Sequence, residues 1–257
     1  MKLPDFLRIP ETRDLNLDDP ETSGRHGEII RSKPFLRRLY EDFYRTLAVR
    51  CPDLPGKFCV ELGSGGGFIK EIYPTVFTSD LLPLPGIDQT FSVLEMPFVD
   101  ASVDCFLMID VFHHVRDARK FLSELRRCLK RGGKVLMIEP ANTLWGRFVY
   151  RHFHHEPFDT SGGWELEKTA PLSSANGALP WIVFCRDREI FQKEFPDLAL
   201  KMCRAHTPFR YLLSGGVSMR ALVPALSYPV IAGLEEVISP LNPWLGLHYT
   251  IELAKES

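Results

Sequence analysis

The run Val60-Glu61-Leu62-Gly63-Ser64-Gly65-Gly66-Gly67 constrains this chain more than any other stretch. Lys57 to Leu62 reads as a buried strand, the glycines as a sharp turn, and Gly67 to Tyr73 as a short helix. Glycines are needed where a backbone reverses tightly and a ligand must approach it with no side chain between. Asp80 follows seventeen positions after Gly63, at the end of a second strand, Thr75 to Asp80. A carboxylate there can accept hydrogen bonds from both hydroxyls of a ribose. Strand, loop, helix, strand and terminal acid, in that order, mark a nucleotide site on an open parallel sheet.

A dinucleotide loop needs G-x-G-x-x-G, so that a pyrophosphate can rest on the helix N-terminus. Here Phe68 takes the place of the third glycine, and Glu61 would set a negative charge beside a phosphate. S-adenosylmethionine has no phosphate but carries a sulfonium and an α-amino group, which an acid beside the loop favours. The loop therefore points to a methyl donor.

The alternation continues along the chain. Pro34 to Val49 has helical spacing, Gln89 to Val93 is a weak third strand, and Asp104 to Asp110 is a fourth. Ala118 to Leu129 is a helix stopped at Arg131-Gly132-Gly133, and Lys134 to Glu139 is the fifth strand. Asp187 to Phe195 reads as a helix, with strands at Leu198 to Ala205 and Leu247 to Leu253. This predicts an α/β fold: a doubly wound, mostly parallel seven-stranded sheet with helices on both faces. Two aperiodic stretches interrupt it: 141–186, with three of the four tryptophans, and 206–246, with five prolines. Residues 1–28 are polar and aperiodic and read as a flexible arm or lid.

With 257 residues, 45% of them hydrophobic, the chain can bury one full core with room for elaborations. A net charge of −2 gives no global attraction to nucleic acid, and the basic runs Arg31 to Arg38 and Arg126 to Arg131 read as solvated helix faces. The six cysteines form no C-x-x-C pair, which argues against a zinc ribbon and fits a reducing cytoplasm. Met1 to Asp14 lacks the apolar core of a secretory signal. Ala221 to Leu234, broken by Pro224 and Pro229, is too short to span a bilayer, which leaves peripheral contact open.

The glycine loop, Met96-Pro97-Phe98, Asp104 to Asp110, Val111-Phe112-His113-His114-Val115, Phe121-Leu122 and Leu129-Lys130-Arg131-Gly132-Gly133 together resemble a known family. They are similar to class I (Rossmann-like) S-adenosylmethionine-dependent methyltransferases, in the small-molecule, type 11-like branch, over about residues 57–140. The resemblance implies a donor site made by Glu61, Gly63, Ser64 and Gly65, with Asp80 on the ribose and Leu81 on the adenine. Val93, Leu94 and Ile109 complete that set. Where the family usually has an Asp facing the adenine amino group, this chain has Ser92, so Ser92 or Glu95 would read the adenine. On this view residues 1–50 are an N-terminal arm and lid helix, and 51–257 the methyltransferase domain.

Ligands of open parallel sheets bind beyond the carboxyl ends of the strands, which places 141–186 and 206–246 as an acceptor cap. In-line transfer requires the protein to align the acceptor and, for a hydroxyl or protonated amine, to remove a proton. His113 and His114 follow the fourth strand, and His152, His154, His155 and Glu156 lie in the first insertion. His114 and His155 are the candidate bases. The spacing His152-x-His154-His155-Glu156 matches no H-E-x-x-H helix, and no metal is expected. The cap aromatics, Trp145, Phe148, Tyr150 and Phe153 among them, form either the cap's own core or a pocket for a sugar or lipid-like acceptor. The reading is an enzyme methylating oxygen or nitrogen on a small molecule, a glycan precursor or lipid-linked intermediate. The alternative is a binding or regulatory protein that keeps the fold without turnover.

Overall fold

Runs of apolar residues buried on both faces form the centre of the sheet. A computed structural model describes residues 9, 19–51, 53–154, 156–166 and 174–256. Its strands are β1 (Cys59–Glu61), β2 (Phe77–Asp80), β3 (Gln89–Thr90), β4 (Val103–Ile109), β5 (Leu129–Pro140), β6 (Leu198–His206) and β7 (His248–Lys255). Their order is β3-β2-β1-β4-β5-β7-β6; β7 runs antiparallel to β5 and β6, and the other pairs are parallel. Alternate residues of β4 and β5 feed opposite cores, as period-two geometry requires. Phe106, Val135 and Met137 face one core and Leu107, Leu136 and Ile138 the other.

Helices cover both faces. In α1 (Pro20–Ser32) and α2 (Pro34–Ala48) a proline opens each helix, where its missing N–H costs nothing. The α2 side chains Phe35, Leu39, Phe43 and Leu47 pack beside Leu107 and Ile138. The short α3 (Ile69–Ile72) lies on the same side. On the opposite face, α4 (Ala118–Cys128) begins at Asp117, whose side chain accepts the Lys120 N–H, and buries Phe121, Leu122 and Leu125.

The first insertion carries α5 (Leu144–Phe153) and α6 (Leu179–Trp181), continued by a π-turn over Ile182–Arg186, and α7 (Arg188–Glu194) follows it. The second carries α8 (Arg210–Ser214), α9 (Tyr228–Val237) and α10 (Asn242–Leu245). Because β5 and β6 both oppose β7, their carboxyl ends lie at one edge, where Pro140 and His206 each pair with His248. Both insertions leave the sheet there.

Two local readings change. Residues 20–28 are helical, as part of α1, which buries Thr22, Ser23, Gly27 and Ile30. Small and polar residues line that face, so hydrophobic periodicity has almost nothing to register. The Arg131-Gly132-Gly133 stop is a bulge within β5: pairing steps from Val103–Leu129 to Cys105–Lys134, with Gly132 at φ 75°. A prediction follows from the core: Phe106→Ala, at a fully buried position, lowers the unfolding free energy by about 3–5 kcal/mol. Urea unfolding measures it, and a loss below about 1 kcal/mol would contradict the packing described.

Candidate active site

The glycine loop joins β1 to α3, with Gly63 at φ 62° and Gly65 at φ 50°, conformations that L side chains rarely adopt. A Cβ on Gly63 would stand 2.6 Å from Val111 Cγ2, so the loop abuts the turn after β4. At Gly65 the nearest atom to such a Cβ is Gly63 O at 3.8 Å, which leaves that surface open. Asp80 holds the loop in shape: Oδ2 accepts the Gly65 N–H at 2.8 Å and Oδ1 accepts the Leu82 N–H at 2.9 Å. Each oxygen retains a further lone pair. Phe68 sits edge-on to Tyr44, and its N–H donates to the Tyr44 hydroxyl at 3.1 Å. The residue in the third-glycine position thus docks the loop on α2.

Glu61 is buried at the end of β1. Burial pushes its carboxyl up to about 8; the Ser64 hydroxyl opposes the rise and the charge of Asp80 adds to it. Glu61 Oε2 and Ser64 Oγ are buried next to each other and hydrogen-bond no other described residue. Two such oxygens beside an open glycine surface fit an ammonium group, and the spare lone pairs of Asp80 fit ribose hydroxyls. Leu81 is 43% exposed beside Asp80, while Val93, Leu94 and Ile109 are half-buried. Ser92 Oγ accepts the Leu94 N–H at 3.2 Å, and Glu95 is exposed.

Helix α1 lies directly on the loop. A Cβ on Gly66 would fall 2.2 Å from Gly27 N, so the two backbones touch. Arg31 donates to Gly66 O at 3.1 Å and Gly67 O at 3.0 Å, and pairs with Glu71. Part of the basic run read as a solvated face therefore anchors α1 to the loop.

A second cluster lies beyond β4. Glu139 is fully buried and accepts N–H groups from Val111 at 2.9 Å, Phe112 at 2.7 Å and His113 at 3.4 Å. It also meets His113 Nδ1 at 2.7 Å. His113 Nε2 is 3.2 Å from Glu156 Oε2, and His114 Nε2 is 3.5 Å from Glu156 Oε1. Burial disfavours a charged His113, but hydrogen bonds to Glu139 and Glu156 outweigh it and raise its pKa well above the usual value. Burial and the charge of His113 lower His114 to about 4. Asp110 has a left-handed backbone, φ 55°. Burial, opposed by His113 and aided by Glu139 and Glu156, raises its carboxyl to about 7.

Of the two candidate bases, His155 lies outside the described residues, and His114 is a weak proton acceptor because it is buried beside a charged neighbour. His152 is exposed and bonds Phe148 O at 2.8 Å, away from the cluster. Sequence reasoning missed Asp110, Glu139 and the α1 contact. The signal for Glu139 was present: an acid closing the apolar run Val135 to Ile138 is a buried charge in need of partners.

Comparison with known proteins agrees with this geometry. The Methyltransferase domain family matches residues 60–137. An S-adenosylmethionine-dependent methyltransferase of Mycolicibacterium smegmatis, named as probable, is 29% identical over 135 residues, 47% of this chain and 51% of that protein. A protein of Encephalitozoon cuniculi named for methyltransferase activity is 42% identical over 57 residues, 21% of this chain and 25% of that one. The chain thus spans between a quarter and half of these relatives. Among solved structures, the chain bound to the Trm112 methyltransferase activator of Haloferax volcanii aligns with a TM-score of 0.55, 14% identity and coverage of 94% and 97%. Geranyl diphosphate C-methyltransferase of Streptomyces coelicolor aligns with a TM-score of 0.50, 15% identity and coverage of 100% and 94%. Residues 60–137 match the Methyltransferase domain family and lie in the seven-stranded, mostly parallel sheet of the methyltransferase fold.

The state of Glu61 gives a test in the donor-free chain. Its carboxyl ionises near 8 when folded and near ~4.3 when unfolded. The unfolded chain releases that proton first, so Glu61 costs stability progressively as pH rises between those values. Glu61→Gln should melt with the wild type at pH ~4 and above it by about 5 °C or more at pH ~8.5. An equal difference at both pH values would contradict a Glu61 carboxyl raised by burial.

Proposed function

We propose that the chain transfers the methyl group of S-adenosylmethionine to an oxygen or nitrogen of a small, lipid-linked acceptor. The observation that carries this is adjacency: the turn filling the missing side chain of Gly63 is the turn that bears Asp110 and His113. S-adenosylmethionine supplies a methyl carbon already activated by its sulfonium. Glu61 and Ser64 receive its ammonium, Asp80 its ribose and Leu81 its adenine, with Ser92 or Glu95 at the adenine edge. Gly63 and Gly65 keep the backbone close, and Val93, Leu94 and Ile109 line the pocket. Asp110, at the carboxyl end of β4 and with no hydrogen bond to its carboxylate among the described residues, takes the proton that leaves the acceptor.

The lipid-linked reading rests on the second insertion. Val230, Leu234 and Val237 along α9, and Leu226 in the 3-10 turn before it, are 58–90% exposed and recur at helical spacing, with Trp244 also exposed. An apolar stripe with a tryptophan near one end suits the interfacial zone of a membrane. No helix among the described residues is long and apolar enough to cross one.

Asp80→Asn should weaken donor binding at least about 10-fold in calorimetry, because an amide offers fewer lone pairs to the ribose. Asp110→Asn should leave donor affinity unchanged and lower turnover by about 100-fold or more. Methyl-labelled donor, incubated with a membrane lipid extract or with water-soluble glycans, should place label in the organic phase. Label confined to the glycans would overturn the lipid-linked acceptor. Donor binding without S-adenosylhomocysteine release from either mixture would favour a regulatory protein.

A further inference from the structure

We propose that His113, His114 and Glu156 form a binding site for one divalent transition-metal ion of the zinc type. Among the described residues, this is a group whose imidazole nitrogens and carboxylate oxygen lie within 4.8 Å of one another. The distances match a coordination shell. An ion with bonds of about 2.0–2.1 Å in tetrahedral geometry holds its ligand atoms about 3.3–3.4 Å apart. Glu156 stands 3.2 Å from His113 Nε2 and 3.5 Å from His114 Nε2. The second value is long for a hydrogen bond, and both suit two ligands sharing an ion.

The surroundings of His113 supply the second argument. Ligand histidines commonly donate their other ring N–H to a carboxylate, which fixes the tautomer and the ring plane. Glu139 meets His113 Nδ1 at 2.7 Å, is itself fully buried, and is held by three backbone N–H groups. That contact leaves Nε2 as the nitrogen aimed at Glu156. The 3-10 turn Phe112–His114 brings two adjacent histidines to one carboxylate, with ring centroids 4.2 Å apart. Side-chain exposures of 19% for His114 and 14% for Glu156 leave the cluster reachable from solvent. Two imidazoles and one carboxylate select zinc or cobalt over magnesium, which prefers oxygen ligands.

The sequence expectation of no metal considered the segment 152–156 alone. The proposed ligands come from two segments, the turn after β4 and the stretch that follows α5, which only the fold brings together. The site is independent of the donor assignment, so it is tested without S-adenosylmethionine.

The full chain, stripped with chelator and dialysed, is titrated with Co²⁺ and followed by its visible d–d absorption. One equivalent should bind, Zn²⁺ should displace it, and millimolar Mg²⁺ should not. Glu156→Gln and His114→Asn should abolish the bands while far-ultraviolet circular dichroism stays that of the wild type. Glu139→Gln, which removes the charge behind His113 and weakens its hold on the 111–113 turn, should weaken Co²⁺ binding about 10–100-fold. No Co²⁺ or Zn²⁺ binding by the folded wild type would overturn the proposal, as would bands unchanged in both ligand variants.

Discussion

A single buried carboxylate organises the centre of this molecule. Glu139 has no exposed surface and gathers three backbone N–H groups and the His113 ring at the end of β5. A carboxylate removed from water is tolerated only when its lone pairs are satisfied in this way. Satisfying them fixes residues 111–113 in one conformation. Val111 then fills the space that Gly63 leaves, and His113 turns its other ring nitrogen to Glu156. Donor loop, sheet edge and first insertion are thereby tied to one anchor.

The loop is held from its other side by α1. Gly27 and Gly66 meet backbone to backbone, and Arg31 reaches the carbonyls of Gly66 and Gly67. Asp80 supplies a third restraint through the Gly65 N–H. Beside the loop, the buried oxygens of Glu61 and Ser64 have no partner elsewhere among the described residues. Oxygens held in place in this way can meet a cationic group without first having to rearrange.

Much of this was legible in the residues, and the parts that were not have physical reasons. The strand–loop–helix–strand order and the buried runs of β4 and β5 follow from periodicity and glycine placement. Helix α1 was hidden because, Ile30 apart, its buried face is glycine, serine and threonine, which allow close approach to a loop it meets only in three dimensions. Asp110 and Glu139 looked like strand ends; their roles depend on adjacent strands, which sequence order does not display. Phe68 was read as an obstacle to a dinucleotide, and its packing against Tyr44 shows what the side chain does instead. The Arg131-Gly132-Gly133 turn was recognised as a break, but pairing across it carries β5 back to Leu129.

Helix α1, the glycine loop and the turn after β4 pack as one unit, which donor binding should order as a whole. Hydrogen–deuterium exchange with and without S-adenosylmethionine tests it most directly. Amides of 22–31, 63–67 and 110–114 should slow together on donor addition and stay unchanged with NAD. Slowing by NAD, or a donor that leaves all three segments unchanged, would contradict the account.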